Sequence, residues 1–190
     1  YLDFMGLRTL LRVPGQITVS RKLETFLCQP HTEPDCTITV RSVACLPPMA
    51  EQGLWHGLEY YDVHAGAKRI FHCHRPGEDA FAVTSIFTTG EVEISVLPEY
   101  LSYFSGSSGI FNRMSMETLL LQHQGLLLHA SLIKYEGKAL AFAGPSGVGK
   151  STQADIWHDH LGADILNGDR AALRKEGDSW YAYGCPYAGT

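Results

Sequence analysis

The feature that most constrains this chain is a glycine-rich stretch at residues 144–152, whose sequence is GPSGVGKST. The stretch fits the pattern G-x-x-x-x-G-K-[ST] at every required position. Its glycines allow a tight turn that brings backbone N–H groups close to an anion. A helix beginning at Lys150 would point the positive end of its dipole at the same place. The pattern predicts a polyphosphate-binding loop in which Lys150 reaches the β- and γ-phosphates and the Ser151 hydroxyl holds Mg²⁺.

The flanking sequence supplies the context that such a loop requires. Residues 138–143 form a short apolar run that predicts a buried strand. After the loop, Ala154, Trp157 and Leu161 recur with helical spacing on one face, and Gly162 is a natural stop. We therefore predict a strand–loop–helix unit that binds ATP and Mg²⁺, the alternative being a glycine-rich turn without a ligand. The predicted nucleotide-binding residues are Gly144, Ser146, Gly147, Val148, Gly149, Lys150, Ser151 and Thr152.

Composition and charge narrow the classes of partner. The 190 residues are 45% hydrophobic and 18% charged, which is ordinary for a globular protein of one large or two small domains. A formal net charge of −5 without a basic cluster argues against nucleic acid as a partner. No apolar run approaches the roughly 18 residues that cross a bilayer, so we expect neither a membrane partner nor a signal peptide. We expect the native termini to lie outside this sequence.

The cysteines favour a reducing compartment. Five are present at irregular spacing: Cys28, Cys36, Cys45, Cys73 and Cys185. An odd number of cysteines beside a nucleotide site predicts free thiols and a cytoplasmic protein. The tripeptide at 72–74, with sequence HCH, is an alternative candidate for part of a zinc site. On a strand, however, its two histidines would face away from its cysteine, so we do not expect three ligands to converge there.

Residues 1–105 are expected to form a β-rich N-terminal region. Alternation of apolar and polar residues predicts strands at 16–20, 37–43, 68–74, 80–87 and 91–97. Turn-forming residues lie between the later strands, which favours antiparallel meanders. No chemical motif is present in this region. We interpret it as a layer that completes the fold, in preference to a surface that recognises a partner or substrate.

Residues 106–190 are expected to form the region that carries the loop. The Ser/Gly-rich segment 102–109 is a candidate joint, and residues 110–122 have a helical pattern. Strands predicted at 126–134 and 138–143 are separated by a short turn containing glycine, which indicates a hairpin. The strand that leads into the loop is therefore expected to pair antiparallel with its predecessor, unlike the parallel neighbours in doubly wound nucleotide-binding folds.

An acidic residue follows the next predicted strand. Residues 163–166 form a short apolar run that leads into segment 167–170, with sequence NGDR. Phosphate-loop proteins place a carboxylate that helps hold Mg²⁺ after such a strand, so Asp169 is the candidate. Asn-Gly-Asp is also ordinary turn sequence, so a purely structural role is the alternative. Strands at 171–174 and 179–183 are expected to form a hairpin after it.

These elements resemble the HPr kinase/phosphorylase family, which shares a phosphate-loop fold with phosphoenolpyruvate carboxykinase. The resemblance covers roughly residues 119–190 and consists of segment 128–131, with sequence LHAS, the hairpin, the loop, segment 167–170 and the turn at 186–189. It implies an α/β fold: a P-loop kinase domain with a largely antiparallel mixed sheet, preceded by the β-rich region. Family members transfer the γ-phosphoryl group of ATP to a serine, in the best-known case on HPr, a small sugar-transport phosphocarrier. Relatives act on peptide precursors in biosynthetic clusters.

The resemblance also implies roles for individual residues. Lys150 and the loop amides would bind the β- and γ-phosphates, while Ser151 and Asp169 would hold Mg²⁺. His129 resembles a family histidine expected near the transferred phosphoryl group, with a structural histidine at a strand end as an equal alternative. The family usually carries two adjacent aspartates before the arginine, and the first handles the serine proton; here that position is Gly168. Acid/base catalysis is worth about 10²–10⁴ in rate, so we expect nucleotide binding to survive while phosphotransfer is slow or depends on Asp169 alone.

Three functions are compatible with these residues. The first is an ATP- and Mg²⁺-dependent kinase that phosphorylates a serine of a protein or peptide, with Lys150, Asp169 and His129 as catalytic residues. The second is a regulatory module that binds ATP and has lost efficient transfer. A small-molecule kinase or carboxykinase-type enzyme ranks last, because the additional metal-ligating Lys and His and an oxaloacetate-binding arginine cannot be placed. The sequence leaves homo-oligomerisation open.

Overall fold

The computed structural model describes residues 1–16, 18–19, 21–30 and 33–185. These residues form an α/β protein made mostly of strands, in one mixed and one antiparallel sheet. Its strands are β1 (Leu2–Phe4), β2 (Leu7–Arg12), β3 (Cys36–Ser42), β4 (Leu54–His56), β5 (Glu59–His64), β6 (Ala67–Cys73), β7 (Ala80–Phe87), β8 (Glu91–Val96), β9 (Gly125–Tyr135), β10 (Lys138–Ala143), β11 (Asp164–Asn167), β12 (Arg170–Glu176) and β13 (Ser179–Tyr183). Its helices are α1 (Arg21–Glu24), α2 (Ser107–Phe111), α3 (Met116–Gln122), α4 (Lys150–Leu161) and a 3₁₀ helix at Pro98–Phe104. No helix among the described residues is long and apolar enough to cross a membrane.

The chain divides into two compact units. The first comprises Tyr1–Asp3 and Leu7–Leu119, and the second comprises Phe4–Gly6 and the chain from Leu120 onward. The eight-stranded mixed sheet belongs to the first unit. The five-stranded antiparallel sheet and α4 belong to the second.

The first sheet has the strand order β1-β2-β3-β8-β7-β6-β5-β4. Strands β4 to β8 pair antiparallel in sequence order, which confirms the predicted meander. Strand β3 instead pairs parallel with both β2 and β8, placing Cys36 beside Thr9 and Val40 beside Ile94. Parallel pairing requires long crossovers, here residues 13–35 and 43–90, and the local turn pattern carries no information about them.

Several strands of this sheet were not predicted. Strands β1, β2, β4 and β5 lie where we expected none, and the strand predicted at 16–20 is wrong for its described residues, of which Thr18 makes only an isolated bridge to Gly106. Strand β5 was not predicted because it contains a buried charge. The side chain of Asp62 is completely buried and pairs with Arg69 at 2.6 Å, so a carboxylate stands where alternation would place an apolar residue.

The helix predicted at 110–122 is two short helices, α2 and α3. The break contains Ser115, whose φ of +50° is left-handed and cannot continue a helix. Its hydroxyl bonds that of Thr118 at 2.9 Å in the first turn of α3. Leu121, near the end of α3, is 66% exposed. The loop predicted at 102–109 is also largely helical, because the 3₁₀ helix and α2 occupy most of it.

The second sheet is organised around the long strand β9. Strands β10, β11 and β12 all pair antiparallel with it, and β13 pairs with β12. Both predicted hairpins are therefore confirmed. The register places Ala143 opposite Ala130 and Arg170 opposite His129, so the end of β10 and the start of β12 meet neighbouring residues of β9. The turn expected at 186–189 lies outside the described residues.

Helix α4 packs against this sheet. Ala154 of the helix is buried with Ile133 and Ala163, and Trp157 packs at the edge of this cluster. The predicted stop is confirmed, since Gly162 is left-handed and its N–H donates to the carbonyl of His158 at 3.0 Å.

Two expectations about burial in the second unit are wrong. Leu161, the third member of the predicted apolar helix face, is 50% exposed. Strand β10 lies at the edge of the sheet. On one face, Leu140 and Phe142 pack against the α4 cluster, while alternate residues of the strand are exposed. A strand covered on one face only replaces the buried strand predicted at 138–143.

Candidate phosphate-binding site

The glycine-rich loop lies between β10, which ends at Ala143, and α4, which begins at Lys150. Gly147 and Gly149 have φ values of +80° and +95°, in the left-handed region that favours glycine. A side chain at either position would strain the turn. The course of the loop into the helix therefore depends on these two glycines.

The first turn of α4 leaves backbone N–H groups without a carbonyl partner inside the helix. Gly149 is the N-cap residue and has no side chain with which to cap them. The first helical hydrogen bond runs from the N–H of Gln153 to the carbonyl of Gly149, at 2.8 Å. The N–H groups of Lys150, Ser151 and Thr152 are thus oriented for an anion, which the helix dipole also favours.

The Lys150 side chain folds over the loop. Its ammonium donates to the carbonyl of Gly144 at 3.0 Å and to that of Pro145 at 3.1 Å. An ammonium has three donors and the loop carbonyls use two of them. The positive charge is therefore held directly above the turn, where a phosphate would meet it.

A cavity of about 450 Å³ brings together three segments that are distant in the sequence. They are the end of the LHAS segment in β9, the loop with the first turn of α4, and the turn between β11 and β12. The lining residues are His129, Ser146, Gly147, Gly149, Lys150, Ser151, Thr152, Gly168 and Asp169. Among the predicted nucleotide-binding residues, Gly144 and Val148 do not line it. Gly144 contributes its carbonyl to Lys150, and Val148 is 62% exposed.

The Asp169 carboxylate lies between two basic side chains. Its Oδ1 is 3.4 Å from Nδ1 of His129, and its Oδ2 is 3.7 Å from Nε of Arg170. Both distances exceed those of ordinary N–H···O hydrogen bonds. The carboxylate therefore keeps acceptor capacity for a further ligand. Main-chain bonding fixes its position, since the carbonyl of Asp169 accepts the N–H of Ala130 at 2.9 Å.

Asn167 holds the turn that carries Asp169, a role that we did not predict from the sequence. Its side chain is buried, and Oδ1 accepts the N–H groups of Asp169 and Arg170, both at 2.9 Å. Its Nδ2 donates to the carbonyl of Cys185 at 3.3 Å. The Ser131 hydroxyl adds a bond to the carbonyl of Gly168 at 3.2 Å. Asparagine directly before Gly-Asp favours such a side-chain turn, and this preference is the pattern that could have revealed it.

Gly168 has room for a side chain. A Cβ atom built at this position meets no heavy atom within 4 Å, and the backbone is not left-handed there. The glycine is therefore not required by packing or by backbone conformation. An aspartate, which is usual at this position in the family that the sequence resembles, would not clash at its Cβ.

The residues of this cavity fit a magnesium ion. Ser151 and Asp169, the predicted ligands, both line it and offer a hydroxyl and a carboxylate oxygen. Mg²⁺ prefers such oxygen ligands and usually keeps several waters, so few protein ligands suffice. Among the described residues, no group of three or more His, Cys, Asp and Glu side chains is arranged to hold a metal ion.

Comparisons of the chain with protein-family models, with curated proteins and with solved structures gave no match.

Proposed function

We propose that this chain is an ATP- and Mg²⁺-dependent kinase that transfers the γ-phosphoryl group to a serine hydroxyl of a protein or peptide. The proposal includes a cytoplasmic setting, in keeping with the irregularly spaced cysteines. The single observation that carries it is the shared cavity of Lys150, Ser151, Asp169 and His129. Three separate segments supply these residues, and each has the chemistry expected of a phosphoryl-transfer site.

Each side chain has a distinct task in this proposal. The loop amides and Lys150 bind the β- and γ-phosphates and oppose the charge that develops during transfer. Ser151 and Asp169 are the residues that would hold Mg²⁺, which neutralises phosphate charge when bound. His129, whose Nδ1 lies 3.4 Å from Oδ1 of Asp169, would contact the transferred group.

The transfer itself is an in-line displacement. The serine oxygen forms a bond to the γ-phosphorus while the bond from that phosphorus to the β–γ bridging oxygen breaks, and ADP leaves. The serine proton must pass to a base. Because position 168 is glycine, Asp169 is the nearest carboxylate in the cavity that can accept it. One carboxylate then serves both proton and metal, which predicts slow transfer.

Gly168 also favours a second function, a regulatory module that binds ATP without efficient transfer. The cavity retains the complete phosphate loop but lacks the usual acid/base residue. In this case the bound nucleotide would change the affinity for a partner. The two functions share the same nucleotide site and differ only in whether the γ-phosphoryl group is transferred to an acceptor.

The decisive experiment compares the unchanged chain with Gly168→Asp, using γ-labelled ATP and Mg²⁺. HPr and an array of serine-containing peptides serve as acceptors, and Lys150→Ala is the control for nucleotide dependence. ATP binding is measured in parallel by calorimetry. We expect the unchanged chain to transfer label slowly and Gly168→Asp to transfer it about 10²–10⁴-fold faster.

The possible results separate the two functions. ATP binding without transfer by either chain contradicts the kinase and supports the regulatory module. Absence of ATP binding by folded protein contradicts both. Transfer that persists in Lys150→Ala shows that the loop does not support the reaction.

A further inference from the structure

A buried hydrogen-bond chain in the first unit holds the imidazole of His72 in place. The Thr84 hydroxyl donates to the carbonyl of Arg113 at 2.6 Å, so its only hydrogen is used. It must then accept from Nε2 of His72, 2.9 Å away. Nδ1 of His72 lies 3.1 Å from the carboxylate of Glu59, which can only accept when ionised. Nε2 of His72 is therefore the donor to Thr84, and Nδ1 faces the carboxylate of Glu59.

The same hydrogen-bond chain includes Glu59. Its carboxylate accepts from His72 and from the hydroxyl of Tyr61. The hydrogen bond from His72 is the largest factor that holds the pKa of Glu59 below its usual value, against the opposing effect of burial. Both oxygens of the Glu59 carboxylate are therefore hydrogen-bonded within the protein.

Arg113 contributes a positive charge to this region. Its guanidinium lies over the rings of Phe81 and Phe104, at 5.4 and 5.3 Å from the ring centroids. One of its five N–H donors bonds the carbonyl of Gly109 at 3.0 Å. Among the described residues no carboxylate forms an ion pair with it, and burial lowers its pKa. An anion that paired with this half-buried charge would offset the free-energy cost of burying it.

Glu59, His72 and Arg113 line one cavity of about 340 Å³, which is at the lower end of the volumes of small-molecule sites. Phe81 and Tyr103 form an aromatic wall, with ring centroids 5.9 Å apart, and His74 stacks on Phe81 at 4.7 Å. Tyr103 is 47% exposed, so one part of its ring is open to a ligand. The cavity thus combines an aromatic surface with a guanidinium that has no ion pair among the described residues.

We infer that this cavity binds a small monocarboxylate with an aromatic ring, the carboxylate on Arg113 and the ring against Phe81 and Tyr103. The planar guanidinium fork matches a carboxylate in two parallel hydrogen bonds. A polyphosphate is disfavoured, because the Glu59 carboxylate lines the same cavity and would repel its several negative charges. The site belongs to the first unit and is independent of the proposed kinase site.

The test uses benzoate as the probe, with benzamide as its uncharged isostere and cyclohexanecarboxylate as its non-aromatic counterpart. Binding to the unchanged chain is measured by calorimetry and by ligand-observed NMR at millimolar concentrations. We expect benzoate to bind at least about tenfold more tightly than benzamide, because the guanidinium makes charge-assisted bonds only to the acid. Cyclohexanecarboxylate should bind more weakly than benzoate.

Variants of Arg113 test whether the carboxylate of the ligand binds to this side chain. Arg113→Met should weaken benzoate binding at least about tenfold, and Arg113→Lys should weaken it less. Arg75→Met is the matched control, since that side chain is 80% exposed and pairs only with Glu78 at 3.7 Å. If Arg113→Met does not fold, the comparison of benzoate with benzamide and a Tyr103→Ser variant still decide the matter.

Three results would overturn the inference. They are no benzoate binding at millimolar concentration, equal affinities for benzoate and benzamide, and unchanged benzoate affinity in folded Arg113→Met.

Discussion

The two units of this molecule are stabilised in different ways. The core of the first unit consists of large side chains such as Ile38, Phe71, Val83 and Ile94, each at most 1% exposed. The buried clusters of the second unit are built largely from alanine, with Leu132 and Ile133 as their largest fully buried members. Burial of apolar area is the main source of stability, and small side chains contribute less of it.

The difference explains how the second unit positions its cavity. Polar side chains bonded to the main chain fix the functional segments: Asn167 holds the turn with Asp169, Ser131 holds Gly168, and Lys150 holds the loop carbonyls. Each such bond contributes only about 0.5–1.5 kcal/mol. We infer that the first unit depends on packing for its stability, whereas the site in the second depends on individual hydrogen bonds.

The largest expected effect lies in the first unit. Arg69→Met leaves the carboxylate of Asp62 buried with only the N–H of Ala50 as an identified partner, so the free energy of unfolding should fall by about 3–5 kcal/mol. Arg41→Met is the control, because its pair with Glu93 is exposed and worth at most about 1 kcal/mol. Urea unfolding gives the total loss, and native-state hydrogen exchange localises it. Equal losses in the two variants would contradict a role for the buried pair.

The next effect concerns the loop in the second unit. Lys150→Ala removes the ammonium from the candidate phosphate site, and ATP affinity should fall about 10- to 150-fold, the equivalent of 1.5–3 kcal/mol. Stability should change little, because the lysine bonds only carbonyls of its own loop. Lys138→Ala, at an exposed position of β10, serves as the control. Calorimetric titration with ATP and Mg²⁺ measures both, and similar affinities would contradict a phosphate role for Lys150.

At Asn167 we expect an effect of similar free energy, but on stability and not on ATP affinity. Asn167→Ala leaves the N–H groups of Asp169 and Arg170 without their acceptor, so the second unit should lose about 1–3 kcal/mol. Asn167→Asp keeps the accepting oxygen but removes the donor to the carbonyl of Cys185, so it should restore the protection of the two amides and only part of the stability. Hydrogen exchange of these two amides is the direct measurement. Unchanged protection in Asn167→Ala would show that packing, and not this side chain, holds the turn.

The smallest effect is a pH dependence in the first unit. The pKa of Glu59 lies below its ordinary value because of its bond to His72, so its contribution is present at neutral pH and is lost as the pH falls through the folded-state value. From about pH 6 to about pH 3, the unchanged chain should lose a fraction of a kcal/mol more than Glu59→Gln. Urea midpoints at both pH values test this, with the exposed Glu51→Gln as the control. A larger loss in Glu59→Gln would reverse the predicted sign.

The sequence predicted the second unit better than the first for a physical reason. The glycine loop, both hairpins and the stop at Gly162 depend on neighbouring residues, and the structure confirms them. In the first unit, the parallel pairing of β3 depends on contacts between distant segments. A buried polar residue such as Asp62 in β5 also interrupts the apolar alternation that predicts strands.

The candidate site shows the same limit. The sequence predicted one site for Lys150, Ser151 and Asp169 because their residue types and spacing match a phosphate-binding pattern, and the three line one cavity. The role of Asn167 was not predicted, because it depends on where a buried side chain points. The cavity beside Arg113 likewise requires the packing of residues from 58 to 113 and has no local motif.

The open space at Gly168 has an evolutionary consequence. A glycine codon that ends in a pyrimidine becomes an aspartate codon through one base change, and the Cβ of the new residue would meet no neighbouring atom. The variant that the transfer assay requires is thus a single mutational step away from this chain.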